Sequence, residues 1–402
     1  MSKSRQPVTV TIPAPADASS VIKEEVRMKL AYVDELVRSI SIDGSGNYFL
    51  ELNQSEIDES RLVNLRSKVE QVFDDMFKTG FEPDIKIIDD KTRNAFTYVD
   101  DPLPELMKQR QLLAEGTGYF GLGPLLAQLA DAIEDRIKEI AGQLRAQSYR
   151  FPALISPSYL EKVKYFSNFP HSLCFVTHLR EDLDVIRNFA AHGHTHDGAV
   201  VTDTDSFSGC QAMLSPTVCH HLYMMLADSE IPSGGLVATA FGNCFRYEAS
   251  NLISLERLWN FSMREIIFVG DQDTVDAGLE TAGKMIFEML AELDIGYRVE
   301  TATDPFFVAN YRDYVAYQSA FELKQEVRAQ LPYKSDTIAV GSFNRHQDFF
   351  GRTLDIRLQD GNPACTGCIG FGFERLVLSF IAQQGLDQNA WPDRTRKFLK
   401  IK

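Results

Sequence analysis

The stretch from Gly242 to Gly270 reads GNCFRYEASNLISLERLWNFSMREIIFVG, and both of its ends have the pattern of β-strands. A short polar segment, ASNLISLE, joins them, which predicts a hairpin whose loop folds over a ligand. Strand side chains alternate between faces, so Arg246 and Glu248 share one face, as do Phe261 and Glu265 on the returning strand. Two interpretations remain open here: a solvated sheet face with paired charges, or the polar floor of a ligand site.

The composition of the whole chain is that of a soluble globular protein. Its 402 residues are enough for two or three domains, 44% of them are hydrophobic and 11% are aromatic. The mean hydropathy is -0.18. No apolar run approaches the roughly 18 residues of a membrane span, and the first residues lack the apolar core of a signal peptide. We therefore expect a cytoplasmic protein without a membrane partner.

The charge of the chain bears on its partners. A formal net charge of -15 disfavours extended contact with a phosphate backbone, because nucleic-acid binding normally needs a basic surface. Six scattered cysteines in a chain of this length do not form a disulfide framework. We expect reduced thiols, some of them available to a metal.

Three segments follow from the order of patterns along the chain. Residues 1–20 are rich in Pro, Ser, Ala and Thr, which predicts a disordered tail. Residues 21–104 alternate helical and strand patterns and predict a small α/β module, with Ser55 as the N-cap of its second helix and Gly80 as that helix's end. The Pro-rich turn that ends at residue 104 separates this module from residues 105–402.

Two further features lie between the module and the hairpin. A long helical pattern, LLAQLADAIEDRIKEIAGQLRAQSY, starts at Leu125 and runs into FPALISP. A glycine-containing loop carries His192, His194 and His196, which fits either a metal site or solvent-exposed histidines.

A second informative stretch, NPACTGCIGFGFERLVLSFIAQQG, stands near the end of the chain. Its glycines allow close approach of backbone to a ligand, and Arg375 at a helix start can meet a phosphate. FRYE with RLWNFSMREI resembles motif 2 of the class II aminoacyl-tRNA synthetases, GFGFERLVLSF resembles their motif 3, and the long helix resembles motif 1. The resemblance covers residues 105–402. It implies an α+β fold with an antiparallel sheet flanked by helices, and a homodimer.

The same resemblance implies roles at the matching positions. Arg246 would contact the α-phosphate of ATP, Glu248 the adenine amino group and Arg375 the γ-phosphate, while Phe261 would stack on the adenine. Arg257 would assist at the phosphates. The residue types suit these roles, because a guanidinium binds phosphate bidentately and an aromatic face binds a base.

Within class II, the order of features is closest to the seryl-tRNA synthetases. In IAVGSFNRHQDFFGRTLDI, Ser342 and Asn344 match the segment before motif 3. The acidic residue that contacts Mg²⁺ and ATP in that family falls on Ala339, which is a departure. Glu322 in FELK is our candidate to compensate for it.

A zinc site is implied by similarity to the zinc-dependent seryl enzymes of archaea. Their ligands match Cys219 before motif 2, Glu265 at the end of motif 2 and Cys368 before motif 3. Catalytic zinc keeps one coordination position open, and in that family the substrate amine occupies it. Cys365 and Cys368 also form a C-x-x-C, which alternatively fits half of a structural zinc site or a redox pair. The other three cysteines, Cys174, Cys210 and Cys244, are expected in the core.

One group of synthetase relatives accommodates all of these features, the bacterial amino acid carrier-protein ligases. They activate Gly or Ala with ATP as an aminoacyl-adenylate and pass it to the phosphopantetheine thiol of a carrier protein, without tRNA. They are commonly little more than a catalytic core, so the N-terminal module is a departure. Two alternatives stay open: a zinc-dependent seryl-tRNA synthetase with a reduced tRNA-binding domain, and a non-catalytic paralogue, which Ala339 favours. Which of Gly, Ala and Ser is used does not follow from the sequence.

Overall fold

The N-terminal part of the protein is a three-stranded antiparallel sheet covered by two helices. The computed structural model describes residues 8–15, 18–53, 57–77, 84–252, 254–304, 306 and 311–400. The first elements are β1 (Val8–Pro13), α1 (Ser20–Leu30), β2 (Val37–Ile42), β3 (Asn47–Leu52) and α2 (Glu59–Phe77). The strand order is β1-β3-β2, and the fully buried Val26, Leu30, Tyr48 and Leu50 lie in a core of their own. We call residues 8–77 the N-terminal module.

Strand β1 corrects the prediction that residues 1–20 form a disordered tail. Val8–Pro13 pairs antiparallel with β3 over its whole length. Its sequence VTVTIP alternates, so Val10 and Ile12 pack against the core of the module while the threonines face solvent. The composition of the tail suggested disorder, but the two-residue period of this short segment was the better signal. The predicted caps Ser55 and Gly80 lie outside the described residues.

The rest of the described chain is built around one eight-stranded sheet. The strands after the module are β4 (Ile87–Lys91), β5 (Leu112–Gly116), β6 (Tyr119–Leu122), β7 (Gln147–Arg150), β8 (Leu154–Ile155), β9 (Phe175–Val176), β10 (His194–His196), β11 (Ala199–Val201), β12 (Ala212–Leu214), β13 (Leu236–Phe245), β14 (Asn260–Gly270), β15 (Tyr297–Thr301), β16 (Lys324–Leu331), β17 (Asp336–Gln347) and β18 (Cys365–Gly372). The large sheet has the order β4-β15-β16-β17-β18-β14-β13-β7, and every neighbouring pair is antiparallel except β13 with β7.

Helices pack on both faces of this sheet. They are α3 (Leu103–Lys108), α4 (Pro124–Gln143), α5 (Pro157–Lys162), α6 (Tyr165–Asn168), α7 (Leu183–His192), α8 (Cys219–Met225), α9 (Gln272–Glu292), α10 (Tyr311–Ala320), α11 (Phe349–Leu354), α12 (Phe373–Gln384) and α13 (Asp393–Phe398). Of these, α4, α9 and α12 pack on one face through a core that includes Ile266, Phe268, Ile369 and Phe371, whereas α8 and α11 pack on the other face. Among the described residues, no helix combines the length and apolar character needed to cross a membrane.

The predicted hairpin is present and lies next to the centre of the sheet. Strands β13 and β14 pair from Leu236 with Val269 to Phe245 with Asn260. Strand β18 pairs with the other edge of β14, so the two informative stretches of sequence are neighbours in the sheet. Alternate residues of β14 face opposite sides: Ile266 and Phe268 contact the helices, while Glu265 and Ile267 face the other side.

The N-terminal boundary of this larger part differs from the predicted position at residue 104. Strand β4 pairs with β15 at the edge of the large sheet, and the Arg93 guanidinium makes two hydrogen bonds to the Asp294 carboxylate at 2.9 and 2.8 Å. Strand β4 therefore belongs to the large sheet, and Arg93 is attached to the same part of the protein. The proline-rich turn marks a bend within this part instead of a domain boundary.

Candidate functional site

The face of the large sheet without helices α4, α9 and α12 brings the predicted site residues together. Because directly opposite residues share a face, one row across four strands contains Glu265, Gly370, Ser342 and Glu326. The next row contains Ile267, Cys368, Asn344 and Lys324. Residues separated by up to about a hundred positions in the sequence thus line one surface.

A cluster of three buried side chains that could hold a metal ion lies on this face. The Cys219 and Cys368 sulfurs and a Glu265 carboxylate oxygen all lie within 4.8 Å of one another, so the structure brings together the three residues that the family resemblance implied. Cys219 is the first residue of α8, Glu265 lies in the middle of β14 and Cys368 in the middle of β18. Three separate elements are needed to assemble the cluster, so it exists only in the folded protein.

Hydrogen bonds orient the Glu265 carboxylate within this cluster. Its Oε1 accepts from the Thr217 hydroxyl at 2.6 Å and from the Val218 amide at 3.3 Å. Its Oε2 is buried and has no hydrogen-bond partner among the described residues. An unpartnered buried carboxylate oxygen is costly, so this atom is the one that a bound cation would satisfy.

The environment of the cluster shifts the proton affinities of its three side chains. Burial and the neighbouring Cys368 sulfur raise the pKa of Glu265 to about 7. Burial also raises the pKa of Cys219, whereas its hydrogen bond to Cys368 holds the pKa of the Cys368 thiol well below its usual range. The Asn344 amide donates to the same Cys368 sulfur at 3.5 Å. The site therefore favours a thiolate at Cys368.

Arg246 and Phe261 lie beyond the cluster, where the hairpin opens into its loop. Arg246 directly follows β13, and its amide donates to the Trp259 carbonyl at 2.9 Å across the hairpin. The side chain is held by a 3.0 Å hydrogen bond from Nε to the Pro216 carbonyl. Its guanidinium carbon lies 5.4 Å from the centre of the Phe261 ring. Arg246 therefore extends from the end of the strand and not from within it.

The two other predicted arginines converge near the same place. Arg257 and Glu248, at the two ends of the hairpin loop, form an ion pair at 2.9 Å. Arg375 lies in the first turn of α12 and donates to the Ala339 carbonyl at 3.3 Å. Burial and the nearby Arg257 lower the pKa of Arg375 to about 10. This concentration of positive charge in a half-buried position is suited to a polyanion.

One predicted residue is not brought to the site. Glu322 follows α10 and forms an exposed ion pair with Lys86 at 2.7 Å, so it does not compensate for Ala339. A carboxylate in the rows of the site face that does lie near Arg375 is Glu326, opposite Ser342, with ion pairs to Lys324 and Arg328, both at 3.2 Å. Sequence reasoning missed it because the alternating KQEVRAQL pattern predicts a strand but not which of its charged residues faces the site.

Glu374 was also missed, and its contacts are structural. Both of its carboxylate oxygens accept from the Ser262 amide, at 2.9 and 3.0 Å, and Oε1 also accepts from the Ser262 hydroxyl at 2.7 Å. It thereby fixes the start of α12 to β14. Arg375 is the next residue, so the helical turn that carries it is held against β14.

Comparison with known proteins decides the family. The chain is 32% identical over 311 residues to amino acid–[acyl-carrier-protein] ligase 1 of Bradyrhizobium diazoefficiens, a match that covers 75% of this chain and 91% of the relative. The chain belongs to the amino acid–[acyl-carrier-protein] ligase family. Ligase 2 of the same organism is 30% identical over 309 residues, which cover 88% of its length. No model of a known protein family matches the chain.

More distant relatives of the family confirm the predicted class II resemblance. A type-2 serine–tRNA ligase of Methanococcus aeolicus is 24% identical over 78% of this chain, which spans 62% of that relative's length. The solved complex of M. kandleri SerRS with A. aeolicus tRNASec matches 98% of this chain and 77% of that chain, with a TM-score of 0.69 and 18% identity. The predicted fold, a class II α+β architecture, is therefore confirmed.

The remaining cysteines and histidines lie outside the cluster. Cys174 and Cys244 are buried as expected, but Cys210 is exposed, which corrects its predicted place in the core. His194 and His196 form strand β10 of an exposed hairpin with β11. In the described part of the chain, the grouped metal-binding side chains are Cys219, Glu265 and Cys368 and do not include these histidines.

Proposed function

We propose that the protein is an ATP-dependent ligase that activates a small amino acid, Gly, Ala or Ser, as an aminoacyl-adenylate. It then transfers the acyl group to the phosphopantetheine thiol of a carrier protein. The observation that carries this proposal is the convergence of Arg246, Arg257 and Arg375 near Glu326, which lies in the same row of the sheet as Glu265 of the cluster. The names of the two Bradyrhizobium relatives support the carrier protein as acceptor.

The site suits adenylate formation through positioning and charge. A carboxylate oxygen of the amino acid attacks the α-phosphorus of ATP, the bond to the bridging oxygen breaks, and diphosphate leaves. In this proposal Arg246 and Arg375 neutralise the phosphates, Glu248 accepts from the adenine amino group, and Phe261 stacks on the base. The carrier thiol sulfur then attacks the acyl carbon, its proton passes to solvent, and AMP leaves. This chain needs no covalent nucleophile for either step.

The cluster fits zinc as the resident metal. Two cysteine sulfurs and one carboxylate form a three-ligand set of the kind that catalytic zinc uses, and the unpartnered Glu265 Oε2 supplies a donor without a competing partner. Zinc held there would offer its open position to the amine of the substrate and would exclude acids without an amine. Thr217 and Asn344 orient two of the ligands from outside, as supporting residues of metal sites commonly do.

For Mg²⁺ bound with ATP, the carboxylate we propose is Glu326. It lies opposite Ser342 on the site face, whereas the position expected from the seryl enzymes is Ala339. Burial alone would raise the pKa of Glu326, but its ion pairs with Lys324 and Arg328 outweigh this effect and hold the pKa below the usual range. Glu326 is therefore an anion in the folded protein. An ionised carboxylate beside a hydroxyl provides the hard oxygen donors that Mg²⁺ prefers.

The second candidate function is tRNA serylation. It is favoured by the likeness to the M. kandleri SerRS structure, which covers 98% of this chain and so includes the N-terminal module. The formal charge of -15 disfavours it, because tRNA binding needs a basic surface. We therefore propose a protein partner for the acyl group and no tRNA.

We also propose a homodimer in the cytoplasm. The motif 1 resemblance of α4 implies the dimer, and several large apolar side chains that follow this helix are exposed in the single chain. They are Leu154, Phe175 and Leu183, with exposed fractions of 45%, 64% and 59%. A second copy is the partner that we expect to cover this apolar surface.

The test of the proposal offers both acceptors to the purified protein. ATP, Mg²⁺ and labelled Gly, Ala or Ser are supplied together with bulk tRNA and a phosphopantetheinylated carrier protein. We expect label on the carrier as a hydroxylamine-sensitive thioester and none on tRNA. Label on tRNA would favour the seryl enzyme, and no ATP–diphosphate exchange with any of the three amino acids would indicate a non-catalytic paralogue.

A further inference from the structure

Helix α1 of the N-terminal module contacts the loop that joins β13 to β14. We call residues 246–259 the hairpin loop, and the structure describes all of them except residue 253. Arg27 Nη1 donates to the Asn251 side-chain oxygen at 2.9 Å, and Asn251 is only 4% exposed. The Tyr32 hydroxyl, just beyond α1, donates to the Tyr247 carbonyl at 3.2 Å. The module thus holds the loop at two points.

A third contact reaches one of the proposed ATP-binding residues directly. Arg257 Nη2 lies 3.3 Å from the Met28 sulfur of α1, while Arg257 Nη1 donates to Glu248 at 2.9 Å. A thioether is a weak acceptor, so this contact orients the guanidinium without consuming a strong hydrogen bond. The Arg257 Nη2 group therefore remains available to donate a hydrogen bond to a phosphate.

The attachment is reinforced on both sides of these contacts. Two hydrogen bonds from Arg27 to the Glu24 carboxylate, at 2.8 and 2.6 Å, fix the arginine on the helix surface. The Tyr32 ring meets the His171 ring edge-to-face at 5.1 Å, which fixes the tyrosine against the larger part of the protein. The side chains of Arg27 and Tyr32 are therefore held in place by contacts other than those with the loop. Less conformational entropy is then lost when these two side chains bind the loop.

We propose that α1 positions the hairpin loop for ATP, with Arg27, Met28 and Tyr32 as positioning residues. The inference rests on the proposed function, in which Glu248 and Arg257 bind the nucleotide. Loops between strands are the mobile parts of a site, and one held from outside keeps its binding residues in the competent arrangement for more of the time. The N-terminal module, which the carrier-protein ligase resemblance left without a role, would thereby set the affinity for ATP.

A double-mutant cycle tests the inference in ATP–diphosphate exchange with the full-length protein. We expect Arg27→Ala and Asn251→Ala each to raise the KM for ATP about ten-fold, the scale of a hydrogen bond to a charged group. The double variant should be no worse than either single one, because both remove the same contact. The KM for the amino acid and the zinc content should not change. Additive effects, or a KM for ATP within two-fold of wild type in Arg27→Ala, would overturn the inference.

Two further variants separate positioning from loss of folding. Tyr32→Phe keeps the ring contact with His171 and removes only the hydroxyl, and we expect a KM for ATP raised about five-fold. Arg61→Ala is the matched control, because Arg61 pairs with Asp34 and Glu35 inside the module. Its KM for ATP should stay within two-fold of wild type.

Hydrogen exchange without substrates distinguishes this inference from the proposed function. We expect the amides of the hairpin loop to exchange faster in Arg27→Ala than in wild type or Arg61→Ala. A wild-type protein without any ATP–diphosphate exchange activity would refute the proposed function. Hydrogen exchange of the loop amides would still report whether α1 orders the loop. Unchanged loop exchange in Arg27→Ala would overturn the inference alone.

Discussion

Cys365 and Cys368 stand three positions apart on β18 and so point to opposite faces of the sheet. Cys368 joins Cys219 and Glu265, whereas Cys365 packs against the core that contains the helices. The two sulfurs of the C-x-x-C therefore cannot bond to each other or bind the same metal ion in this fold. This geometry fits neither a redox pair nor half of a structural zinc site. The zinc site that we propose uses one of the two thiols.

These two cysteines give a matched pair of variants for metal analysis. We expect Cys368→Ser to lower the zinc content from about one ion per chain to near zero, because only two ligands remain. Cys365→Ser makes the same substitution on the other face of the sheet, away from the cluster, and this variant should retain the metal. Zinc measured by mass spectrometry on protein purified without added metal decides the matter, and full occupancy in Cys368→Ser would contradict the site.

Arg375 is the arginine whose loss should affect ATP most. We expect Arg375→Ala to lower kcat/KM for ATP about 10²- to 10³-fold, the usual cost of removing a preorganised donor to a charged group, with zinc retained. Arg345→Ala is the control, because Arg345 lies on the opposite face of the sheet and pairs with Asp276 at 2.8 Å. ATP–diphosphate exchange gives both constants. A drop of less than ten-fold for Arg375→Ala would mean that the γ-phosphate is held elsewhere.

Helix α4 shows how a single turn can end an element that the periodicity would extend. The apolar pattern predicts a helix to Tyr149, but the helix ends at Gln143 and Gln147–Arg150 forms edge strand β7. Arg145 has a φ of 57°, its amide bonds to the Gly142 carbonyl, and the Ala146 amide bonds to the Ala141 carbonyl. This pair of hydrogen bonds is the Schellman motif, in which the residue with positive φ is usually glycine.

The same turn offers a stabilising substitution. Glycine adopts a positive φ without the steric cost that Arg145 bears. The free energy gained by removing this cost exceeds the extra conformational entropy that glycine loses on folding. We expect Arg145→Gly to raise the free energy of unfolding by about 0.5–1 kcal/mol, measured by chemical denaturation. Arg150→Gly, in the strand that follows, should lower it instead because its backbone is extended. A destabilising effect of Arg145→Gly would show that its side chain contributes more than the turn costs.

For the molecule as a whole, the junction between the module and the large sheet lies before β4. Strand β4 pairs with β15, and Arg93 reaches Asp294, 201 residues further along the chain. The N-terminal module has its own hydrophobic core around Val26, Leu30 and Tyr48. The described residues therefore form two packed parts, one before residue 78 and one that begins at residue 84.

Two truncations test this junction. A chain that starts at residue 84 keeps β4 and the Arg93–Asp294 pair, whereas one that starts at residue 105 loses both. We expect the shorter chain to melt several degrees lower, since loss of an edge strand and a half-buried bidentate pair costs a few kcal/mol. Thermal unfolding followed by circular dichroism measures the difference. Equal melting temperatures would mean that β4 contributes nothing to the large sheet.

The local features of this protein were predictable from its sequence. The hairpin, the apolar face of α4, and the positions of Arg246, Phe261 and Arg375 depend on residues close together in the chain, where periodicity and short motifs report directly. The three residues of the cluster followed from a family resemblance whose motifs are equally local. Even β1 was visible as an alternating VTVTIP, although its composition pointed the other way.

The pairing of distant segments was not predictable, and it completed the site. Glu326 faces Ser342 only because β16 and β17 pair in that register, and a shift by one residue would turn Glu326 to the other face. Glu322 is close to it in sequence but lies outside the sheet, beside Lys86. The contact of α1 with the hairpin loop joins residues 224 positions apart. Local propensity fixes where strands and helices form, whereas strand register and packing of separate parts depend on long-range burial, which no short stretch of sequence records.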